Sequence, residues 1–373
     1  MIIAVDTRRS EENDLNAVSD FIFSCFSVLA KQYPDHKFIY IFDAPYEQSL
    51  ISSTNIIPVI IAPQTTSVLR LQYWHNYKVP AVLRKHKADV FVGVAGISLR
   101  TKIPQCLFLP DIGFITYPQF YKRSLLGYLN KSMPKFLDKA RSVVTVSKAA
   151  QKTIEEQYSV DEKKIHVADK FSSPLFKKIG SEEREDTKQK FADGKEYFLY
   201  SGTIGADKNL LNILKAFSFF KKRQKSNIQL VIAGPLGKAY SKFEEDLRTF
   251  KFRDEVKVLP NLSKDESPAL TGAAYAMLCP VFVDDLHAPV LESLRSGVPA
   301  IISKNIMFPE VCHSCVLVVD EDNFTDIANS MMLLFKDEDM RNAMGKAGMT
   351  LTAQFDVEKT AASLWKAITN INP

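Results

Sequence analysis

Apolar residues in the first half of the chain fall into short continuous runs, separated by longer segments in which they recur every three or four positions. The short runs predict buried β-strands and the longer segments predict helices. Strands are predicted at residues 2–6, 37–42, 56–61, 89–93, 105–109, 142–146 and 164–167. Helices are predicted at residues 14–31, 67–87, 120–140 and 148–158. Pro80 is expected to kink or divide the second helix.

The second half of the chain repeats this alternation. Strands are predicted at residues 197–201, 229–233, 256–259, 276–279, 300–303 and 316–319. Helices are predicted at residues 209–222, 241–250, 267–274, 288–296, 323–336, 338–354 and 357–370. Alternating strands and helices are typical of parallel sheets with helices on both faces, so the pattern predicts doubly wound α/β domains.

Chain length and one polar segment predict two such domains. A single hydrophobic core rarely grows beyond about 250–300 residues, and the chain has 373. Residues 178–195 are rich in Glu, Lys and Asp, which marks them as the domain boundary. Ligands are expected at the carboxyl ends of the strands, in a cleft between the domains.

The composition is that of an ordinary globular protein, with 46% apolar and 24% charged residues. The sequence contains no run of about 18 apolar residues that would predict a membrane-spanning helix, and its N-terminus lacks a signal-peptide pattern. The five cysteines are scattered, as expected in a reducing cytoplasm, and they do not supply the ligand set of a zinc site. We therefore expect a cytoplasmic protein without a bound metal.

Positive charge is concentrated in the first half. The chain has a net charge of +5, but residues 1–180 contain 24 basic and 16 acidic residues, a balance of +8, whereas residues 181–373 contain 24 and 27, a balance of −3. Residues 121–152, the basic strip, contain eight basic residues and only Asp138 as an acid. The strip is either a solvated helix face or a surface that attracts an anionic membrane. Nucleic acid is not expected as a partner, because no recognised binding motif accompanies the charge.

A glycine turn after the first strand of the second half has the features of a phosphate site. Gly202, followed by Thr203, allows a sharp turn and a close approach of the backbone to a ligand. Lys208 then lies at the start of a helix, where N–H groups and the helix dipole favour anions. The alternative interpretation is an ordinary strand-to-helix turn with a solvated lysine.

Two carboxylates, Asp284 and Glu292, lie eight positions apart around the start of a short helix. The segment Ala288-Pro289-Val290-Leu291 is expected to form its N-terminus, since Pro suits the first helical turn, and the N–H groups there can receive a diphosphate. Glu292 can accept hydrogen bonds from a ribose and Asp284 from a transferred sugar, while backbone near Leu262 could bind a base edge. An acidic loop before a capped helix is the alternative, which the Gly202 turn in the same domain disfavours.

These motifs resemble those of the retaining, nucleotide-sugar-dependent glycosyltransferases of the GT-B fold, family 4, the glycosyltransferase group 1 domain. The resemblance covers nearly the whole chain and is strongest from residue 197 to residue 320. The segments that carry it, in family order and spacing, are the Gly202…Lys208-Asn209 turn, Leu230-Val231-Ile232-Ala233-Gly234, Asp284…Glu292 with Gly297-Val298-Pro299, and Phe308-Pro309-Glu310-Val311. In the first half, residues 140–147 and 163–167 look like the family's last N-terminal strand, helix and strand.

The resemblance implies an α/β protein of the GT-B fold, in which two Rossmann-like doubly wound domains face each other across a cleft. Residues 1–180 would form the acceptor-side domain, residues 181–355 the donor-binding domain, and residues 356–373 a helix that crosses back to the first domain. The implied co-substrate is a nucleotide-diphosphate sugar carrying UDP or GDP. No metal or other cofactor is implied, because fixed donors and a lysine can stabilise the leaving diphosphate.

The resemblance also implies roles for individual residues. The implied catalytic residues are Lys208, which neutralises the donor diphosphate, Glu292, which holds the ribose, and Asp284, which holds the donor sugar. The implied donor contacts also include Gly202, Thr203, Leu262, His287, Ala288, Pro289, Val290 and Leu291. Asp111 is the implied acceptor-side residue.

Several positions depart from the family pattern. Asp284 stands where the family usually has Glu and is shorter by one carbon, about 1.5 Å of reach. Thr203 replaces a basic residue, and Pro110 replaces a His that often precedes the position of Asp111. His287 stands where the family usually has Gly, and it either takes the place of the missing His at the same cleft or is an ordinary loop residue.

The sequence therefore predicts a retaining hexosyltransferase that acts on a glycan or lipid-linked acceptor, of the cell-surface polysaccharide or lipopolysaccharide type. It would work peripherally at the cytoplasmic face of the membrane, where the basic strip would help it dock. The departures motivate a second hypothesis, a catalytically weak nucleotide-sugar-binding partner protein. A nucleotide-sugar epimerase of the same fold is a third, whereas a nicotinamide dehydrogenase is disfavoured because no G-x-G-x-x-G follows a strand.

Overall fold

The structure, a computed structural model, describes residues 1–8, 15–94, 96–110, 112–205, 208–237, 240–260, 262–263, 265–282, 286, 288–304 and 314–371. The chain divides into two compact units, with Met1–Lys170 and Asp356–Pro373 in unit 1 and Phe171–Phe355 in unit 2. Each unit is built on one parallel sheet, so the prediction of two doubly wound α/β domains is confirmed. None of the described helices is both long and apolar enough to cross a membrane.

The sheet of unit 1 has seven described strands. They are β1 (Ile2–Asp6), β2 (Lys37–Phe42), β3 (Ile56–Ile60), β4 (Val90–Val94), β5 (Gln105–Phe108), β6 (Ser142–Thr145) and β7 (Ile165–Val167). Their order is β3-β2-β1-β4-β5-β6-β7, and all pairs are parallel. All five residues of β4 are buried, as expected of a strand covered by helices on both faces. The seven predicted strands are confirmed to within one residue at each end.

Helices cover this sheet. Those that precede unit 2 in the chain are α1 (Leu15–Gln32), α2 (Val68–Tyr73), α3 (Val79–Lys85), α4 (Gly113–Thr116), α5 (Arg123–Lys139) and α6 (Lys148–Tyr158). The predicted division of the second helix is confirmed, because a π-helical turn at Trp74–Lys78 joins α2 to α3 and Pro80 is the second residue of α3. Pro lacks the N–H that an interior helical hydrogen bond needs.

The last helix of the chain packs into unit 1. α14 (Val357–Thr369) lies against α1, β6 and β7. The ring of Trp365 stacks on that of Tyr33 with 4.1 Å between their centroids, and the Ser142 hydroxyl donates to the Ala367 carbonyl at 3.1 Å. These contacts make residues after unit 2 a part of the unit 1 core.

Unit 2 contains six described strands and seven described α-helices. The strands are β8 (Tyr197–Ser201), β9 (Gln229–Ala233), β10 (Val256–Leu259), β11 (Ala276–Cys279), β12 (Ala300–Ser303) and β13 (Val316–Val319). The helices are α7 (Ser181–Ala192), α8 (Leu210–Gln224), α9 (Tyr240–Arg248), α10 (Ser267–Ala273), α11 (Ala288–Arg295), α12 (Phe324–Lys336) and α13 (Glu338–Thr352). All six predicted strands are confirmed with their predicted ends.

Helix α7 occupies the polar segment for which only a domain boundary was predicted. Its side chains are polar nearly all round, so helical periodicity could not reveal it. The tertiary structure stabilises it instead: Lys188 is buried, and its ammonium donates to the carboxylates of Glu185 and Glu196, each at 2.7 Å. The helix packs against α10.

The strand order of unit 2 determines where its loops meet. The order is β10-β9-β8-β11-β12-β13, so the chain moves outward from β8 to β10 and then returns to the other side of β8 with β11. β8 and β11 are parallel neighbours, with Phe198 paired to Ala276. The strand order reverses between these two strands, and doubly wound sheets have a crevice at the carboxyl edge at such a point.

Candidate functional site

Two glycine loops, after β8 and after β9, are joined by backbone hydrogen bonds. The Ile204 N–H donates to the Pro235 carbonyl at 2.8 Å, and the Gly237 N–H donates to the Ile204 carbonyl at 2.9 Å. Gly202 and Gly234 both have positive φ angles, of 152° and 138°. A Cβ at Gly234 would lie 2.1 Å from the Gly202 carbonyl oxygen. Because only glycine permits this approach, the path of the loop after β8 depends on Gly234.

The same loop leads to Lys208 at the entrance to α8. The Tyr200 hydroxyl donates to the Thr203 carbonyl at 2.9 Å, and the Lys208 N–H donates to the Gly205 carbonyl at 3.2 Å. Only 7% of the Lys208 residue is exposed. A lysine buried to this degree is not the solvated lysine of the alternative interpretation.

Asn209 joins this loop to two others, and the sequence had indicated it only as the neighbour of Lys208. Its backbone is left-handed, with φ of 58°, a conformation that Asn tolerates better than most residues. Its amide donates to the carbonyl of Pro280, after β11, at 2.6 Å and to that of Glu321, after β13, at 2.8 Å. Asn209 therefore positions the start of α8 against the strand ends on the far side of the crevice.

The other wall of the crevice begins with α11. Ala288 is its first described residue and Pro289 its second, Val290 and Leu291 are buried, and Glu292 is half-buried. This burial pattern places the apolar side of the helix on the core and leaves Glu292 at its margin.

Two further contacts hold this wall in place. The Ser303 hydroxyl, buried at the end of β12, donates to the Val281 carbonyl at 2.7 Å, just after β11. At the other end of α11, a Cβ on Gly345 of α13 would lie 2.3 Å from the Gly297 carbonyl oxygen. α11 and α13 can therefore pack closely only because residue 345 has no side chain.

The predicted donor residues that the structure describes form three groups, each of which follows a different strand. Gly202, Thr203 and Lys208 follow β8, and residues 288–292 form the start of α11 after β11, the adjacent strand. Leu262, which is half-buried, follows β10. In the sheet, β10 is two strands from β8, on the side away from β11.

Asp111, Asp284, His287 and the segment 308–311 lie outside the described residues. The roles assigned to all of these residues stay predictions.

An acidic turn after β13 borders this edge of the sheet. Carboxylate oxygens of Asp320, Glu321 and Asp322 lie within 4.8 Å of one another, and burial raises the pKa of Glu321. A hydrogen bond from the Lys304 ammonium lowers the pKa of Asp320, and the two groups are 3.1 Å apart. Asp320 also accepts the Asp322 N–H at 3.2 Å, so this cluster is explained as a turn with a lysine counter-ion. The metal independence of the donor site stays a prediction.

Unit 1 has a buried charge cluster at the carboxyl end of β1 that the sequence did not indicate. Arg8 donates through Nε to Asp6 Oδ1 at 2.8 Å and through Nη2 to Asp6 Oδ2 at 2.7 Å. The guanidinium carbon lies 5.0 Å from the centroid of the Trp74 ring, and His75 Nε2 lies 3.5 Å from Asp6 Oδ2. Asp6 and Arg8 are 1% and 4% exposed. A bidentate pair this deep fixes the loop that follows β1.

These contacts shift two pKa values in the same direction. Burial alone would raise the pKa of Asp6, but Arg8 and His75 outweigh it and hold that pKa well below its usual range. Burial, and then the charge of Arg8, lower the pKa of His75. As the pH falls, the unfolded chain takes up a proton at either residue before the folded chain does, so acid destabilises the fold through both groups.

Comparisons with known proteins agree with this architecture. Residues 181–350 match the sequence model of the family described as Glycosyl transferases group 1. O-antigen chain mannosyltransferase B of Escherichia coli is 24% identical over 254 residues, which are 66% of this chain and 65% of that protein. O-antigen chain mannosyltransferase RfbU of Salmonella typhimurium is 25% identical over 285 residues, 75% of this chain and 76% of that protein. The match to the first of these relatives thus spans slightly less than two thirds of its length.

Two solved structures resemble the chain over almost its whole length. One is WaaG, a glycosyltransferase involved in lipopolysaccharide biosynthesis, with a TM-score of 0.78 and 15% identity over 99% of this chain and 100% of that chain. The other is HepE of Anabaena in complex with UDP-glucose, with a TM-score of 0.76 and 15% identity over 99% and 100%. The predicted GT-B fold is confirmed, and the family match over residues 181–350 supports a GT-B glycosyltransferase.

Proposed function

We propose that this GT-B chain is a retaining glycosyltransferase that moves a hexose from a nucleotide-diphosphate sugar to a glycan or lipid-linked acceptor. The observation that carries the proposal is the crevice between β8 and β11, with buried Lys208 on one side and the start of α11 on the other. The glycosyl transferases group 1 match covers both sides of it. Crevices at this position are the usual ligand sites of doubly wound sheets.

Groups on both sides of the crevice are suited to stabilise the negative charge that such a transfer creates. The bond between the sugar and the diphosphate breaks, and the departing diphosphate gains negative charge. The N–H groups at the start of α11 and the ammonium of Lys208 would stabilise that charge without reorganising, which is the source of their catalytic effect. Removal of one such donor typically lowers the rate about 10²–10³-fold.

The remaining roles complete the proposal. Glu292 holds the ribose and Asp284 holds the donor sugar, since carboxylates accept hydrogen bonds from hydroxyl groups. The acceptor hydroxyl attacks the sugar from the face that the nucleotide leaves and passes its proton to the departing diphosphate oxygen, so the anomeric configuration is retained. Asp111 is the acceptor-side residue of this proposal.

The names of the relatives and neighbours suggest which donors to try first. Two relatives are named O-antigen chain mannosyltransferases, and one structural neighbour is solved with UDP-glucose. We therefore propose an acceptor of the cell-surface polysaccharide or lipopolysaccharide type, with GDP-mannose and UDP-glucose at the head of the donor panel.

Transfer by the purified chain tests the proposal directly. Each nucleotide sugar is incubated with lipid-linked acceptors extracted from bacterial membranes, and NMR gives the anomeric configuration of the product. Lys208→Ala is expected to lower kcat at least 100-fold, consistent with the loss of one charge-stabilising donor. Lys222→Ala, at the exposed end of the same helix α8, should leave kcat unchanged.

Three outcomes would contradict the proposal in different ways. Tight binding of a nucleotide sugar without turnover on any acceptor would indicate a partner protein. Conversion of the donor sugar without an acceptor would indicate an epimerase. A product of inverted configuration would support sugar transfer but contradict the retaining mechanism.

We extend the proposal to the membrane surface, because an apolar stripe neighbours the basic strip. Leu69, Tyr73 and Tyr77 recur every four residues and are 79%, 46% and 60% exposed, so they share one face of the helical segment from α2 into the π-helical turn. α2 contacts α5, whose Lys131 and Lys135 are exposed. Exposed apolar and aromatic side chains beside lysines are typical of helices that lie on anionic membranes.

Cosedimentation with vesicles tests this extension. The triple variant Leu69→Ser, Tyr73→Ser and Tyr77→Ser is expected to lose most of its binding to phosphatidylglycerol vesicles, while transfer to a water-soluble acceptor persists. If the variant binds the vesicles as well as the unaltered chain does, the extension is contradicted. The basic strip is then interpreted as a solvated helix face.

A further inference from the structure

A basic cleft that includes Lys139 and Arg141 of the basic strip lies at the amino edge of the unit 1 sheet, where β5, β6 and β7 begin. It is a cleft with a volume of about 570 Å³, within the range of small-molecule sites. Its charged lining residues are Lys102, Lys139, Arg141, Lys163 and Lys164, with Asp138 and Asp161 as the acids, a balance of five minus two, or +3. This amino edge is the opposite edge of the unit 1 sheet from the one where Asp111 follows β5, and the proposed donor crevice is built from residues of unit 2.

The cations of this cleft are not matched by carboxylates. Within the part of the chain that the structure describes, none of the five forms an ion pair within 4.0 Å. Asp161 is engaged elsewhere, since its Oδ1 accepts the Lys163 N–H at 3.0 Å. The lining therefore has positive charge in excess, and its two carboxylates, Asp138 and Asp161, act on Lys164 from beyond ion-pair distance.

Two of these five cationic side chains are held by hydrogen bonds to backbone carbonyls of unit 1. Lys164 donates to the carbonyls of Leu137 at 2.6 Å and Asp138 at 2.8 Å, which satisfies the last turn of α5. Lys139 donates to the Leu99 carbonyl at 2.5 Å. The side chains of Lys102, Arg141 and Lys163 make no hydrogen bond to any other described residue, and they are the groups left to bind a ligand.

The crowding of cations is itself unfavourable. Burial and the charge of Arg100 lower the pKa of Lys139. Burial lowers the pKa of Lys164 as well; Arg141 adds to that effect, while Asp138 and Asp161 oppose it. A bound anion would relieve this repulsion and favour the charged forms.

We propose that this cleft binds a small phosphate-bearing anion with at least two negative charges, at a site separate from the donor site of unit 2. The planar guanidinium of Arg141 can pair with two phosphate oxygens, while Lys102 and Lys163 add point charges. The phosphate belongs either to a free anion or to a lipid headgroup, which present the same chemistry.

A chemical footprint locates the binding residue by residue. The full chain is treated with limiting acetylating reagent, with and without inorganic diphosphate, and acetylation of each lysine is measured by peptide mass spectrometry. Diphosphate is expected to protect Lys102 and Lys163 at least threefold. Lys31 and Lys85, exposed lysines of the same unit outside the cleft, should react equally in both samples. Protection of Lys208 alone would overturn the inference and leave the proposed function untouched.

A double variant separates the two sources of phosphate. Lys102→Gln with Lys163→Gln should weaken one class of diphosphate site at least tenfold in calorimetry, a change of 1.4 kcal/mol at 25 °C. The matched control, Arg84→Gln with Lys85→Gln on exposed α3 positions, should bind like the unaltered chain. A preference for phosphatidic acid vesicles that the double variant loses assigns a lipid headgroup, and diphosphate binding without that preference assigns a free anion. Equal diphosphate affinity in the double variant and its control overturns the proposal.

Discussion

Replacement of Gly234 by alanine tests the architecture of the proposed donor site most sharply. The new Cβ would lie 2.1 Å from the Gly202 carbonyl oxygen, whereas ordinary contacts of a Cβ begin at 3.4 Å. The loop after β8 must therefore move by about 3.4 − 2.1 = 1.3 Å, and the φ of 138° at residue 234 is strained for any side chain. A displacement near 1 Å in a site can lower the rate about 100-fold, and the strain costs about 1–3 kcal/mol.

The assay measures three quantities on the purified Gly234→Ala chain: nucleotide affinity by calorimetry, kcat of sugar transfer, and the free energy of unfolding. We expect transfer to fall about 100-fold, because the displaced loop carries Lys208 away from its position. The matched control is Gly127→Ala, at an exposed position of α5, where an added Cβ meets no atom within 4 Å. That change should stabilise the fold by about 0.5–1 kcal/mol, since alanine is the better helix former, and leave transfer unaltered.

One result would refute this reasoning. If Gly234→Ala binds nucleotide, transfers sugar and unfolds like the unaltered chain, then the loop after β8 either adapts without consequence or does not hold the donor. In the second case the crevice of unit 2 is not the donor site.

Four further predictions follow from the buried contacts. Arg8→Met should lower the free energy of unfolding by about 3–5 kcal/mol in urea, because Asp6 stays buried without its cation. The unaltered chain should lose stability as the pH falls below about 6.5, where the unfolded chain protonates its histidines, and His75→Gln should flatten this dependence. Asn209→Ala should weaken nucleotide binding about tenfold in calorimetry, since two loops lose a hydrogen bond that positions them. Trp365→Ala should destabilise unit 1 by about 2–3 kcal/mol in chemical denaturation.

Matched variants decide whether these effects are specific. Lys37→Met and Lys366→Ala alter exposed residues of unit 1 and should leave stability within about 0.5 kcal/mol. Asn212→Ala removes one hydrogen bond to the Glu321 carbonyl, so it should weaken nucleotide binding less than Asn209→Ala does. Equal effects of a buried variant and its exposed control would count against the structural reason given for that residue.

Much of the fold could be predicted, because in a doubly wound protein the spacing of apolar residues along the chain matches the burial of each strand and helix. Strands such as β4 are buried on both faces and appear in the sequence as unbroken apolar runs. α7 shows where this reasoning fails, because ion pairs and packing on α10 stabilise a helix with no apolar stripe. Pro80 was informative for a local reason, since its missing N–H acts on its own helix whatever the surroundings.

The same distinction between local features and long-range contacts applies to the candidate site. Gly202, Lys208 and the start of α11 could be predicted, because turn glycines and helix N-termini are local features. The contact of Gly234 with Gly202 and the reach of Asn209 to Pro280 could not, because each joins residues that are far apart in sequence and meet only once the sheet has formed.

The sequence by itself determined the alternation of strands and helices, the excess of positive charge in the first half and the two motifs of the proposed donor crevice, since all of these depend on neighbours within a few positions. Only the tertiary structure decided that β8 and β11 are adjacent, that Asp6 and Arg8 form a buried pair beside His75, and that cations from three separate segments line one cleft. The physical reason is that strand order and burial depend on the packing of the whole unit, which no local pattern encodes.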